Sequence, residues 1–227
     1  MKMMRGLVIS LATILTILLS APLVHGQDLF KYRNFSFGMS LVELSKQVDS
    51  QPLHAKLIHR RPAVIQEVTW WPRESSGSPL QAEPVWQVFF TFYNGELYRI
   101  LVTYDRRATQ GLTAEDMVQA VSAQFGTATR AAAEISFSTN ELYRSTEKVI
   151  ARWEDSQYSI NLIRSSFLNS FALVMFSKRL DAQAEAAIAE SVKLEGREDP
   201  QKEIERQKRE ADNLEAARLK NRKTFHP

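Results

Sequence analysis

The stretch Val88–Asp105, VFFTFYNGELYRILVTYD, decides how this chain folds. Asn94-Gly95 lies between runs rich in Val, Phe and Tyr. Such a pair asks for a two-residue type I′ turn, because both central residues must adopt positive φ and Asn and Gly tolerate it. The turn sets a register in which Tyr93 faces Glu96, Phe92 faces Leu97, Thr91 faces Tyr98 and Phe90 faces Arg99. Strict alternation along each strand then divides the side chains. Trp86, Val88, Phe90, Phe92, Leu97 and Leu101 share one face; Val85, Phe89, Thr91, Tyr93, Tyr98, Ile100, Val102 and Tyr104 share the other. Both faces are apolar. The first reads as core, and the second, with aliphatic centre and tyrosine edge, needs a cover of its own.

Working outward, EKVIARWEDSQYSINLI (Glu147–Ile163) repeats the hairpin logic around Asp155-Ser156. Val149, Ala151, Trp153, Tyr158, Ile160 and Leu162 fall on one face and mostly polar residues on the other, the pattern of a sheet with one buried side. Ser170–Lys178 reads as a more central strand. Leu57–Trp71 supplies an earlier one, held to an edge or a bend by Pro62. Two helices interrupt the strands. Ser40 with Glu43 forms a capping box, and Thr113 with Asp116 a weaker one, each ahead of apolar residues at helical spacing. Gly38-Met39-Ser40 and Gly111-Leu112-Thr113 also resemble each other, which reads as a tandem of two helix-then-strands units or as a chance likeness. The expected class is α+β: an antiparallel sheet with helices packed on one face and a charged helical extension at the C-terminus.

That extension begins near residue 179, where Ala, Glu, Lys and Arg take over. Leu180–Leu194 reads as one helix closed by Gly196. Asp199-Pro200 reads as the start of a second, running to about Arg222, because a proline at the first helical position loses no bond. The apolar stripe of the second, Ile204, Ala211 and Leu214, is thin. The tail is expected to pack by its first part and project by its last, with self-association through residues 199–222 as the alternative.

At the other end, a basic start (Lys2, Arg5), an apolar run from Leu7 to Leu19 and a break at Ala21-Pro22 describe a secretory leader over residues 1–26. The domain division is therefore 1–26 leader, 27–178 α+β domain and 179–227 tail. The protein is expected to be exported, periplasmic or secreted, unless an uncleaved leader anchors it. No cysteine occurs in the chain, which excludes a lipid anchor and disulfides. The formal charge is +3, with both signs interspersed, so no strong field for nucleic acid exists.

Catalytic and cofactor signatures are missing. There is no G-x-S-x-G nucleophile elbow, no phosphate-binding P-loop and no G-x-G-x-x-G. His54 and His59 are five residues apart, a spacing that suits metal ligands on neither a helix nor a strand. Asp105, beside Arg106-Arg107, and Glu154-Asp155 sit where turn chemistry already explains a carboxylate. We therefore expect no catalytic set, no cofactor and no metal.

The two Gly-x-hydroxyl-x-x-acid starts, each before a helix and strands, together with Phe125-Gly126 closing the second helix, resemble the arrangement of the β-lactamase-inhibitor proteins and the small outer-membrane assembly lipoproteins. The likeness covers about Phe35–Lys178 and concerns architecture alone. It implies an exported, non-enzymatic protein that binds other proteins through an exposed sheet face. This chain departs from it by its lack of the lipid-attachment cysteine and by its long tail.

The expected function is an exported binding module of the cell envelope with an unidentified protein partner. The candidate contact residues are Phe89, Tyr93, Tyr98, Ile100 and Tyr104 on the second face of the hairpin, with Trp71 from the adjacent tryptophan pair. Two alternatives stand beside it: an envelope hydrolase using Asp105, Glu154 or His59, and a scaffold that self-associates through the tail.

Overall fold

The computed structural model describes residues 28–48, 53–72, 83–129, 133–140, 143–165 and 170–224. Residues 1–26, expected to be a leader, lie outside the described residues. Eight strands form one antiparallel sheet. In chain order the elements are β1 (Lys31–Tyr32), β2 (Phe35–Ser36), α1 (Leu41–Gln47), β3 (Lys56–His59), β4 (Ile65–Trp70), β5 (Val85–Tyr93), β6 (Glu96–Tyr104), α2 (Ala114–Phe125), β7 (Glu134–Asn140), β8 (Tyr143–Glu154), β9 (Tyr158–Ser165), β10 (Ser170–Ser177) and α3 (Lys178–Thr224). β1 and β2 form a small separate hairpin, and the main sheet runs β3-β4-β5-β6-β10-β9-β8-β7.

That order reads the same from both edges. A helix followed by a four-strand meander occurs twice, and the last strands of the two units, β6 and β10, pair antiparallel at the centre. The helix starts repeat in detail. Gly38 and Gly111 take φ of +85° and +84°, a region closed to most side chains. Ser40 (φ −81°, ψ 162°) and Thr113 (φ −82°, ψ 167°) then cap α1 and α2. In each box the backbone N–H of the cap donates to the acid, at 2.7 Å for Ser40–Glu43 and 2.8 Å for Thr113–Asp116. The Asp116 box is thus as complete as the first.

Leu44 of α1 and Val48 just past it, Met117, Val118, Val121 and Phe125 of α2, and Leu29, Tyr32 and Phe35 of the β1–β2 segment cover one sheet face. Beneath them lie Val68, Val88, Phe90, Phe92, Leu97, Ile100, Val102, Ala151, Trp153, Ile160, Leu162, Leu173 and Met175. Each large apolar side chain among them withdrawn from water contributes about 1.5–3 kcal/mol. Trp153 fastens α2 to β8 by donating its indole N–H to the Gly126 carbonyl at 2.8 Å.

α3 is one helix of 47 residues with Pro200 inside it, rather than two helices with a break at Gly196. Pro200 lacks the N–H that would reach the Gly196 carbonyl. Gly196 is exposed, so water can take that bond. Leu180, Ala184, Ile188 and Ser191 recur at helical spacing and pack on the second sheet face. Residues 200–222 are exposed throughout. The 25 residues 200–224 therefore project as a rod of about 37 Å. Ion pairs such as Arg206–Glu203 (2.7 Å), Arg206–Glu210 (2.8 Å) and Arg218–Glu215 (3.0 Å) line it. Among the described residues no helix is long and apolar enough to cross a membrane.

Candidate functional site

The hairpin at Asn94-Gly95 forms as expected, with φ of 49° and 88°, and Tyr93↔Glu96 and Phe92↔Leu97 pair. The register then shifts. Thr91 pairs with Arg99 and Phe90 with Ile100, so Tyr98 and Arg99 together stand opposite a single residue. This β-bulge turns two consecutive side chains to the second face and reverses the alternation beyond it. Ile100, Val102 and Tyr104 consequently lie on the helix-covered face, and Leu101 moves to the second. A second bulge at Trp86 separates it from Val88, and Val85 joins the main core. In the second hairpin a bulge at Ile150 moves Val149 to the second face in the same way.

The six candidate contact residues are therefore not one surface. Ile100 is fully buried in the main core. Tyr104 packs at the margin of that core, and burial holds its phenol well above the ordinary range. Tyr98 is 1 % exposed because α3 lies over it. Tyr93 packs half-buried beside it. Phe89 remains on the second face, half-buried and in register with Leu101. Trp71 is half-buried just past β4, while Trp70 joins the core edge at 5.3 Å from Phe35.

Several side-chain groups hold α3 to the sheet. Arg99, 9 % exposed, donates from Nε to Asp181 at 2.8 Å and from Nη2 to Glu185 at 3.1 Å. Burial acts to lower its pKa, but the carboxylates of Asp181 and Glu185 and the Tyr98 phenol hold it raised, so the guanidinium stays charged. Burial also raises the Asp181 carboxyl against the pull of Arg99. Nearby, burial pushes Glu67 up to about 7, with Lys56 across the strand pair pulling it down.

At the far end of the packed stretch, Ser191 Oγ lies 2.9 Å from His59 Nδ1 and donates to Glu195 at 3.1 Å, while Arg61 reaches Glu198 at 2.6 Å. Serine, histidine and glutamate are together here, but Glu195 also approaches Nδ1, at 3.5 Å. A nucleophilic relay needs the serine on Nε2 and the acid on Nδ1. With both on one nitrogen and Ser191 3 % exposed, the group is a clasp between β3 and α3. Sequence gave no hint of it, because 132 residues separate His59 from Ser191.

The hydrolase candidates do not converge. His59 and Glu154 lie on β3 and β8, six strand spacings or about 29 Å apart. Asp105 ends β6 away from the Asn94-Gly95 turn, where its carboxylate accepts the Arg107 N–H at 2.7 Å. Glu154 pairs with Lys178 at 2.7 Å. Among the described residues no three His, Cys, Asp or Glu side chains group to hold a metal ion.

What distinguishes the second face is uneven cover. α3 crosses the end carrying Tyr93, Ile65, Tyr98 and Ile58. The other end carries Thr69, Gln87, Phe89, Leu101, Ala172, Val174, Ile163 and Val149, whose apolar members form a separate buried cluster that includes no α3 residue. Compared with protein-family models, curated proteins and solved structures, the chain finds no match.

Proposed function

We propose that the chain is an exported, non-enzymatic protein-binding module of the cell envelope, and that it takes its partner at the end of the second sheet face that α3 does not reach. The observation that supports this is the two-sided apolar sheet. One face lies under α1, α2 and the β1–β2 hairpin, and among the described residues the other meets a helix at one end only. The half-buried Thr69, Gln87 and Phe89 fringe the remaining end with mixed polar and aromatic character, the composition of a protein contact. The doubled helix-and-meander plan supports the likeness to β-lactamase-inhibitor proteins and small outer-membrane assembly lipoproteins, and with it a binding role.

The test is capture from a periplasmic extract by the wild type and by Gln87→Lys/Phe89→Ala. The reading predicts that the double variant keeps its circular dichroism and loses a partner that the wild type retains. Equal capture by both would remove this end of the face as the binding surface.

A further inference from the structure

Several arginines of this chain, exposed as well as buried, meet an oxygen acceptor. Arg33 grips Glu83 with two bonds of 2.8 and 2.9 Å, Arg61 meets Glu198, Arg99 meets Asp181 and Glu185, and Arg152 meets Asn161. Arg106, Arg107 and Arg164 differ. Among the described residues none of their guanidiniums has an acidic partner, yet all three line one cavity of about 610 Å³. Its other described walls are Thr109, Gln110, Gly111, Leu112, Ser170 and Phe171, so among the described residues no Asp or Glu lines it.

The cavity has a fixed frame. The Asp105 carboxylate, the nearest acid in sequence, accepts the Arg107 backbone N–H and is 9 % exposed. The Asp105 carbonyl accepts both the N–H and the hydroxyl of Thr109, each at 3.1 Å. The Leu112 N–H closes a further turn on the Thr109 carbonyl at 3.1 Å. On the opposite wall, Arg164 lies over the Phe171 ring at 5.1 Å, which orients its planar donor fork. Three guanidiniums around one recess repel each other until an anion enters, and each offers paired N–H donors that match the oxygens of a phosphate. The volume is that of a small-ligand site and too small for a nucleic-acid duplex.

We propose that this cavity is a binding site for a compact phosphate-bearing polyanion, held by Arg106, Arg107 and Arg164. The phosphate comes from a soluble phosphoryl compound or from a phospholipid headgroup. The site is separate from the proposed protein-binding end of the sheet, and either stands without the other.

The test uses the full chain and inorganic pyrophosphate as probe, by titration calorimetry at low ionic strength, with citrate as the carboxylate control. The expected result is saturable one-to-one binding that falls about tenfold in Arg164→Gln and disappears in the triple variant R106Q/R107Q/R164Q. The control Arg60→Gln, an exposed arginine elsewhere, should bind as the wild type does. Thermal melts of each variant without ligand separate lost binding from lost folding. In a second arm, flotation with phosphatidate-containing vesicles that pyrophosphate displaces marks a headgroup as the source, and no flotation with saturable pyrophosphate binding marks a soluble one. Absence of saturable binding, equal or tighter binding of citrate, unchanged affinity in the folded triple variant, or flotation that pyrophosphate does not displace would each overturn the proposal.

Discussion

The two helix-and-meander units share one plan and differ in what lies over their second face. In the first unit, α3 crosses that face and Arg99, Tyr98 and Ile65 are sealed beneath it. In the second, Val149, Ile163, Ala172 and Val174 cluster instead with Phe89 and Leu101 of the first, and no residue of α3 joins them. The caps, the glycines and the strand order come from local rules repeated twice. The difference comes from a single long-range event, the docking of α3.

The largest test of this difference removes the charged anchor. Arg99→Leu leaves Asp181 and Glu185 without their cation, which should cost about 3–5 kcal/mol in urea unfolding. It should also raise amide exchange over residues 181–198. A loss below about 1 kcal/mol would mean that the Arg99 ion pairs add little to the apolar stripe and the His59 clasp that also hold α3.

Glu67 sharpens the same contrast through pH. Its folded pKa of about 7 lies above the ordinary 4.5. Below pH 4.5 it is protonated in both states and has no effect on stability. Between 4.5 and about 7 the unfolded chain releases the proton first, so stability falls as pH rises, and above 7 the loss is constant. Glu67→Gln should therefore gain about 2 kcal/mol at pH 8, allowing for partial exposure, and nothing at pH 4. A gain equal at both pH values would contradict the burial of that carboxyl.

The likeness of the units is tested by paired substitutions. Gly38→Ala and Gly111→Ala meet no neighbouring atoms, so each pays only for its positive φ, about 1 kcal/mol, and the two losses should match. Unequal losses would show that the two helix starts are not equivalent. The smallest effect is expected from deleting residues 199–227. The rod carries isolated apolar residues, Ile204, Leu214 and Leu219, without a continuous stripe. Unfolding and the number of chains per particle by light scattering should both stay unchanged, whereas fewer chains per particle would support the self-associating scaffold.

What could be read from sequence was what is local. The Asn94-Gly95 turn, both capping boxes, the turn at Asp155 and the central place of β10 follow from residues within a few positions of one another. The bulge at Tyr98-Arg99 left no such mark: both residues are large and strand-compatible, and only packing under α3 rewards turning both to one side. That one extra residue carried Ile100 and Tyr104 out of the expected contact surface. Continuation of α3 through Pro200 was hidden for a related reason, since Asp-Pro signals a helix start as well as it tolerates an exposed, water-satisfied gap. The single strand expected over Leu57–Trp71 is the β3–β4 pair, and β7 was missed, its residues Glu134–Asn140 lacking an apolar run.

The most direct test of the central claim is site-specific photocrosslinking in the intact envelope, with the reactive group at Gln87 in one variant and at Leu214 in another. The account predicts a discrete adduct from position 87, on the second face beyond α3, and none from position 214 on the projecting rod. An adduct from 214 alone, or none from 87, would contradict it.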